Sequence, residues 1–145
     1  MKTILEGTLP RDISLLSDMV TFIVPDNKLY GPIEGLFSLW NKADTIRLSE
    51  NRFTGSLPAN LDQETPKLRI LRLSENKLKG QIPASLGNLP DLTDLQLDDN
   101  QFTGAISPSL ANLGSLSKCV IPNVATKASG PPSFLISHDT FCLAM

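Results

Sequence analysis

The sequence predicts an α/β solenoid, with short parallel strands side by side on one face and 3-10 or short helical turns on the other. Three observations predict it. Asn27, Asn51, Asn76 and Asn100 stand 24, 25 and 24 residues apart, a spacing that belongs to stacked repeats rather than to one globular core. Around each Asn the same apolar pattern returns, Leu-x-x-Leu-x-Leu-x-x-Asn-x-Leu-x-Gly-x-Ile-Pro, with substitutions. Within a copy, Leu-x-Leu alternates with strand period, while the leucines further on fall three and four apart, as on a helical turn.

The elements follow in chain order. Leu5, Gly7, Leu9 and Pro10 read as the second half of a repeat. The first complete copy is Met19, Phe22, Val24, Asn27, Leu29, Gly31 and Ile33. Ile46, Leu48, Asn51, Phe53, Gly55, Leu57 and Pro58 form the second. The best copy runs Leu68, Leu71, Leu73, Asn76, Leu78, Gly80, Ile82, Pro83, and the next runs Leu92, Leu95, Leu97, Asn100, Phe102, Gly104, Ile106. Leu116, Cys119 and Ile121 begin a last one whose Asn has become Val124. About four full units with a partial one at each end are enough for neighbours to cover one another.

Each position has a physical role. The two Leu of Leu-x-Leu point inward from a short strand, and each is worth roughly 1.5–3 kcal/mol when buried. The Asn stands where the chain leaves the strand. Its amide donates and accepts, so a structural ladder of Asn27, Asn51, Asn76 and Asn100 can satisfy backbone groups on two coils at once. Gly31, Gly55, Gly80 and Gly104 supply left-handed or closely approached backbone. Leu61, Leu86 and Leu110, with Leu89 and Leu113, mark one short turn per coil on the outer side. Asp62–Lys67 carries the one-residue insertion before Pro66, and a bulged outer loop is expected there. Trp40 falls in an outer slot between Phe37 and Ala43; it either packs the outer layer or marks a contact on the convex side.

The motifs from Leu68 to Leu89 and Leu92 to Leu113, with Gly-x-Ile-Pro and Leu-Gly-Asn-Leu, resemble the plant-type leucine-rich repeat family. The likeness spans roughly residues 3 to 123. It implies a right-handed, gently curved superhelix with a concave parallel sheet used for binding, as in receptor-like kinase ectodomains and polygalacturonase-inhibitor-type proteins. The family's N-terminal cap, a cysteine pair with a tryptophan, does not precede the first coil, and a fragment or truncated member fits this.

Composition narrows the partners. A formal net charge of -2 gives no drive towards nucleic acid or anionic lipid. No segment has the apolar length of a membrane helix. The resemblance implies an extracellular or cell-surface location. Met1 to Leu9 lacks an apolar stretch of signal-peptide length, which keeps the cytoplasm as the alternative, and there is no Asn-x-Ser/Thr acceptor. Residues 1–123 are read as the solenoid and 124–145 as a tail that caps its end. In that tail Ser129–Ser133 is a spacer, and Phe134, Leu135, Ile136, Phe141, Leu143 and Met145 are apolar enough to cover the last coil. Cys119 occupies a leucine slot and reads as a small buried thiol. The other reading is a disulfide to Cys142, which needs an oxidising compartment.

The residues between the inward positions form lanes across the inner face. The first reads Thr21, Thr45, Ile70, Asp94, Lys118; the second Ile23, Arg47, Arg72, Gln96, Val120; the third Pro25, Ser49, Ser74, Asp98, Pro122; and the fourth Asp26, Glu50, Glu75, Asp99, Asn123. Two features make this the candidate ligand-binding face: the acidic residues Glu50, Glu75, Asp94, Asp98 and Asp99, and the cations Arg47 and Arg72 beside Gln96. Such a face suits a protein or peptide that carries both basic and carboxylate or hydroxyl groups, because guanidinium forks pair two acceptors at once. With few aliphatic members on the lanes, the expected state is a monomer or weak dimer.

Catalysis is not expected. Ser137, His138 and Asp139 are consecutive, and consecutive residues do not converge on one atom. No metal-ligand spacing and no phosphate loop occur, so no metal and no cofactor is assigned. The reading is a non-enzymatic recognition module, possible as part of a receptor-like signalling protein. The alternatives are an inhibitor of an extracellular wall-degrading hydrolase and a structural fragment without a ligand of its own.

Overall fold

The computed structural model describes residues 3–122 and the backbone of 136–137 and 140–144. Its strands are β1 (Glu6–Thr8), β2 (Thr21–Ile23), β3 (Lys28–Pro32), β4 (Thr45–Arg47), β5 (Arg52–Thr54), β6 (Ile70–Arg72), β7 (Lys79–Gln81), β8 (Asp94–Gln96), β9 (Gln101–Thr103), β10 (Lys118–Ile121), β11 (Ile136–Ser137) and β12 (Thr140–Ala144). Strands β2, β4, β6, β8 and β10 lie in parallel in that order, β12 pairs parallel to β10, and β11 runs antiparallel to β12. The fold is the α/β solenoid, one strand per coil.

Strands β2, β4, β6, β8 and β10 are three or four residues long because only Leu-x-Leu has strand period. In β4, β6 and β8 the central residue is buried and its neighbours lie towards the open face, apart from Asp94 in β8, which is itself buried. Ile46, Leu71 and Leu95 are wholly buried, and each meets its counterparts in the coils before and after.

The Asn ladder fixes where each strand ends. The Nδ2 group of Asn76 donates to Leu48 O of the preceding coil at 2.9 Å and to Leu73 O and Ser74 O of its own. Its Oδ1 accepts from Phe53 N at 2.9 Å. Asn51 and Asn100 repeat this, reaching back to Val24 O and Leu73 O and accepting from Leu29 N and Leu78 N. The side chain thus does the hydrogen bonding of a turn, and the backbone leaves in extended form. That explains a feature absent from the sequence reading: flanking parallel pairs β1–β3–β5 and β7–β9 run just beyond the Asn residues.

Gly31, Gly55, Gly80 and Gly104 all have positive φ. Gly55 is doubly constrained, since a Cβ there would lie 1.9 Å from Glu34 Oε2, and that carboxylate accepts from Ser56 N at 2.8 Å. The outer side is built from 3-10 turns at Arg11–Leu15, Ala84–Asn88 and Pro108–Asn112. The last two approach closely, because Gly87 leaves room for the Ser109 carbonyl; a Cβ would stand 2.1 Å from that oxygen.

The insertion is resolved differently from the bulged loop expected. Leu61–Glu64 forms one α-turn. One extra residue changes the closing bond from i→i−3, as in Leu89 N to Leu86 O, to i→i−4, Thr65 N to Leu61 O. Thr65 thereby reaches the core slot held elsewhere by Leu89 and Leu113. It is wholly buried, and its hydroxyl donates to Leu61 O at 3.1 Å, which removes the penalty of burying it. Trp40 holds the same slot one coil earlier. It too is fully buried, edge-on to Phe22 and Phe37 at 5.1 and 5.6 Å, with Nε1 donating to Ile13 O at 3.1 Å. Its bulk accompanies the small Ala43 in the next inward position.

Cys119 is buried, as a leucine slot requires, yet it is disulfide-bonded rather than a free thiol. Its register partner on β12 is Cys142. The sequence readings of Val124–Phe134, Leu135, His138, Asp139 and Met145, and of the side chains of Ile136, Ser137, Phe141 and Leu143, lie outside the described residues.

Candidate binding face

Strand register turns sequence positions into neighbours. Thr21, Thr45, Ile70, Asp94 and Lys118 stand in one line, and Ile23, Arg47, Arg72, Gln96 and Val120 in the next. Adjacent members sit about 4.8 Å apart, so groups in neighbouring lanes reach each other diagonally.

That diagonal is used. Arg72 donates through Nε and Nη2 to Asp94 Oδ2 at 3.0 and 2.6 Å. Gln96 Nε2 donates to Asp94 Oδ1 at 2.7 Å. Both oxygens of Asp94 are therefore engaged, and the residue is only 8% exposed. It belongs to the fabric of the face rather than to the groups offered to a ligand. The signal was present in the lane pattern, since Arg72 and Asp94 occupy adjacent lanes on adjacent strands. In the third lane Ser74 is buried and donates to Asp98 Oδ1 at 2.5 Å.

Arg47 differs from Arg72. It is half-buried, and its Nε is buried without a hydrogen bond. No carboxylate occupies the diagonal place that Asp94 fills for Arg72, because the corresponding residue on β6 is Ile70.

The fourth lane has a backbone cause. Asp26, Glu50, Glu75 and Asp99 hold φ values of 56°, 56°, 55° and 50°. The left-handed region costs an L-residue roughly 1–2 kcal/mol. At Asp26, Glu50 and Glu75 it persists because the peptide is fixed on both sides. Glu50 N donates to Ser74 O and Asn51 N to Glu75 O, and Glu75 N and Asn76 N repeat the pattern to Asp98 O and Asp99 O. All four residues are exposed.

Elsewhere on the surface, Lys42 pairs with Asp18 across two coils and holds its carboxyl below the usual range. On the outer side, burial pushes the Glu64 carboxyl up, opposed by a hydrogen bond from Asn60, and Glu64 Oε2 is buried without a partner. Among the described residues no cluster of His, Cys, Asp and Glu could hold a metal ion, and no helix is long and apolar enough to cross a membrane.

Comparison with known proteins agrees with this geometry. The Leucine rich repeat family model matches residues 41–102. No curated protein matches the chain. Among solved structures, the Arabidopsis receptor kinase HAESA, in complex with the peptide hormone IDA and the co-receptor SERK1, superposes with TM-score 0.77 at 29% identity, over 82% of this chain and 20% of that one. The plant peptide hormone receptor RGFR1, in complex with RGF2, gives TM-score 0.70 at 32% identity, over 83% of this chain and 21% of that one. A plant ice-binding protein gives 0.72 at 32% identity, over 79% and 37%. The chain thus spans about a fifth of the length of the two receptor structures. Coil period, inner parallel sheet, Asn ladder and these neighbours together show a leucine-rich repeat solenoid fold, similar to the ectodomains of plant receptor kinases.

Proposed function

We propose that the chain is a non-enzymatic recognition module whose inner sheet binds an extended peptide or protein segment, at an extracellular or cell-surface location. The carrying observation is the contrast between the two arginines. Arg72 is paired with Asp94 within the sheet through Nε and Nη2, while Arg47 keeps a buried Nε without a partner. Arg47 is therefore the residue assigned to an acceptor on the ligand, a carboxylate or hydroxyl oxygen, which a guanidinium binds with directional bonds. The exposed acids Glu50, Glu75 and Asp99 lie across the coils beside it and suit a basic group further along the same segment. Asp98 and Gln96 complete the polar floor between them. Two neighbours of the fold are plant receptors bound to peptide hormones, which supports this class of ligand. The ice-binding neighbour is the reminder that the fold alone does not choose the partner.

The test is selection of peptides from a displayed random library on the full chain. Arg47→Ala is expected to weaken the selected peptides at least tenfold, with unfolding midpoint unchanged. Glu75→Lys is expected to reject those carrying a basic residue. Selected peptides that bind the wild type and both variants alike would place recognition on another face.

A further inference from the structure

The coils differ at the corner where the flanking strand passes to the outer side. Two later coils carry Pro58-Ala59-Asn60 and Pro83-Ala84-Ser85 there, and an earlier one carries Glu34-Gly35-Leu36. Gly35 has a φ of +74°, which a 3-10 turn does not accommodate, and residues 33–40 accordingly form bends without a helical element. A Cβ on Gly35 would meet nothing within 4 Å, whereas one on Gly87 of a later coil would strike the Ser109 carbonyl. The corner at Gly35 is therefore hollow where the later corner is filled.

The hollow is a cavity of about 610 Å³, within the range of roughly 300–1,000 Å³ that small-molecule sites occupy. Its walls come from three successive coils, through the flanking strands β1, β3 and β5 and the 3-10 turn at Arg11–Leu15. No strand of the inner sheet contributes to it, so it is separate from the candidate binding face. The floor is apolar. Leu36 and Phe53 are 7% and 1% exposed and belong to the core, and Leu9 and Ile13 pack half-buried against that core. A ring resting there takes its own apolar surface and theirs out of water together.

Charge selects the rest of the ligand. Two charged side chains line the cavity, Arg11 and Glu34. Glu34 is held by the following coil, its Oε1 accepting from Ser56 N at 2.8 Å and from Ser56 Oγ at 3.4 Å. Arg11 comes from the preceding coil and is exposed on the rim, so it is the cation presented to a ligand. A guanidinium pairs with a carboxylate through two parallel bonds. Tyr30, 47% exposed, adds an aromatic face to the wall, against which a second ring packs offset or edge-on.

We infer that this corner is a binding site for a small aryl carboxylate, with the carboxylate on Arg11 and the ring between Tyr30 and the Leu36–Phe53 floor. The site is independent of recognition by the inner face.

The probe is 2-naphthoate, titrated into the full chain labelled with 15N. The amides of Gly31, Gly35 and Leu36 should shift together and saturate, with Kd below about 1 mM. 2-Naphthamide, which keeps the rings and loses the charge, should bind at least tenfold more weakly. Acetate, which keeps the charge and loses the rings, should give no saturable shift. Arg11→Ala should weaken naphthoate at least tenfold, and Thr8→Trp should close the mouth and abolish binding; both positions are exposed, and both variants should keep the wild-type melting curve. Arg47→Ala should bind naphthoate as the wild type does. Absence of a saturable shift at these amides up to about 1 mM, equal affinity for the amide, or unchanged affinity in Arg11→Ala overturns the proposal. Shifts confined to β4 and β6 and lost in Arg47→Ala also overturn it, and assign the carboxylate to the inner face.

Discussion

The coil from Leu68 to Leu89 and the coil from Met19 to Trp40 follow one pattern, yet they differ in how much of it is realised. In the later coil Leu68, Leu71, Leu73 and Leu78 are completely buried, and Asn76 holds carbonyls on two coils. In the earlier one the corresponding Met19, Phe22 and Val24 are half-buried and Asn27 bonds back to its own coil. A coil of this kind has no core of its own. Its interior is formed by the neighbours on either side, so stability is nearly a sum of adjacent interfaces.

Substitution at matched positions measures that difference. Leu71→Ala should cost about 3–5 kcal/mol, the upper range for a wholly buried leucine whose cavity cannot collapse. Phe22→Ala should cost less than half as much despite its larger ring. Urea midpoints at unchanged m-value report both, and equal losses would mean the ends are as well packed as the middle. Next, Asn76→Ala strands the Phe53 N–H in the interior, while the Leu48 carbonyl keeps its bond from Asn51 Nδ2, and a loss of about 2–3 kcal/mol is expected from the unsatisfied donor and the lost amide bonds. Asn27→Ala should lose about 1 kcal/mol, since one end of its network faces outward.

A smaller effect comes from the outer side. Gly87→Ala should destabilise by about 1–3 kcal/mol, because the new methyl must displace the Ser109 carbonyl; Gly114→Ala, with nothing within 4 Å of its Cβ, is the control. The smallest change expected is at Glu64. Burial raises its folded pKa above the ordinary carboxylate range, so the folded state holds the proton more tightly than the unfolded chain does. Stability therefore falls as pH rises from below the unfolded value through the folded one, then stays level. Glu64→Gln should melt higher than wild type at neutral pH and lose that advantage below about pH 4. A constant difference across the whole range would show that the carboxylate is not the cause.

Much of this was legible in the sequence, for reasons particular residues make plain. Two periods overlie each other, the alternation of Leu71-Arg72-Leu73 and the step from Asn51 to Asn76, and together they assign every lane. They cannot assign backbone handedness. Glu50 and Glu75 look like ordinary surface acids, because Glu is a poor left-handed residue and it is long-range bonds such as those from Glu50 N and Asn51 N that hold Glu50 there. Nor does period distinguish an offered charge from a spent one. Asp94 and Asp98 look alike as lane members until the reach of Arg72 and the hydroxyl of Ser74 are known. Thr65 was hidden because a threonine in a leucine slot reads as a loop residue, and only its bond to Leu61 O makes it a core residue.

The α-turn at Leu61–Glu64 has one consequence for how such a chain can change over generations. It takes up an added residue, yet Thr45 still faces Ile70 and Arg47 still faces Arg72 across the next strand pair. Insertions and deletions on the rear of the spiral are thus silent at the front, and lineages can vary the length of one while rewriting the chemistry of the other, a single side chain at a time.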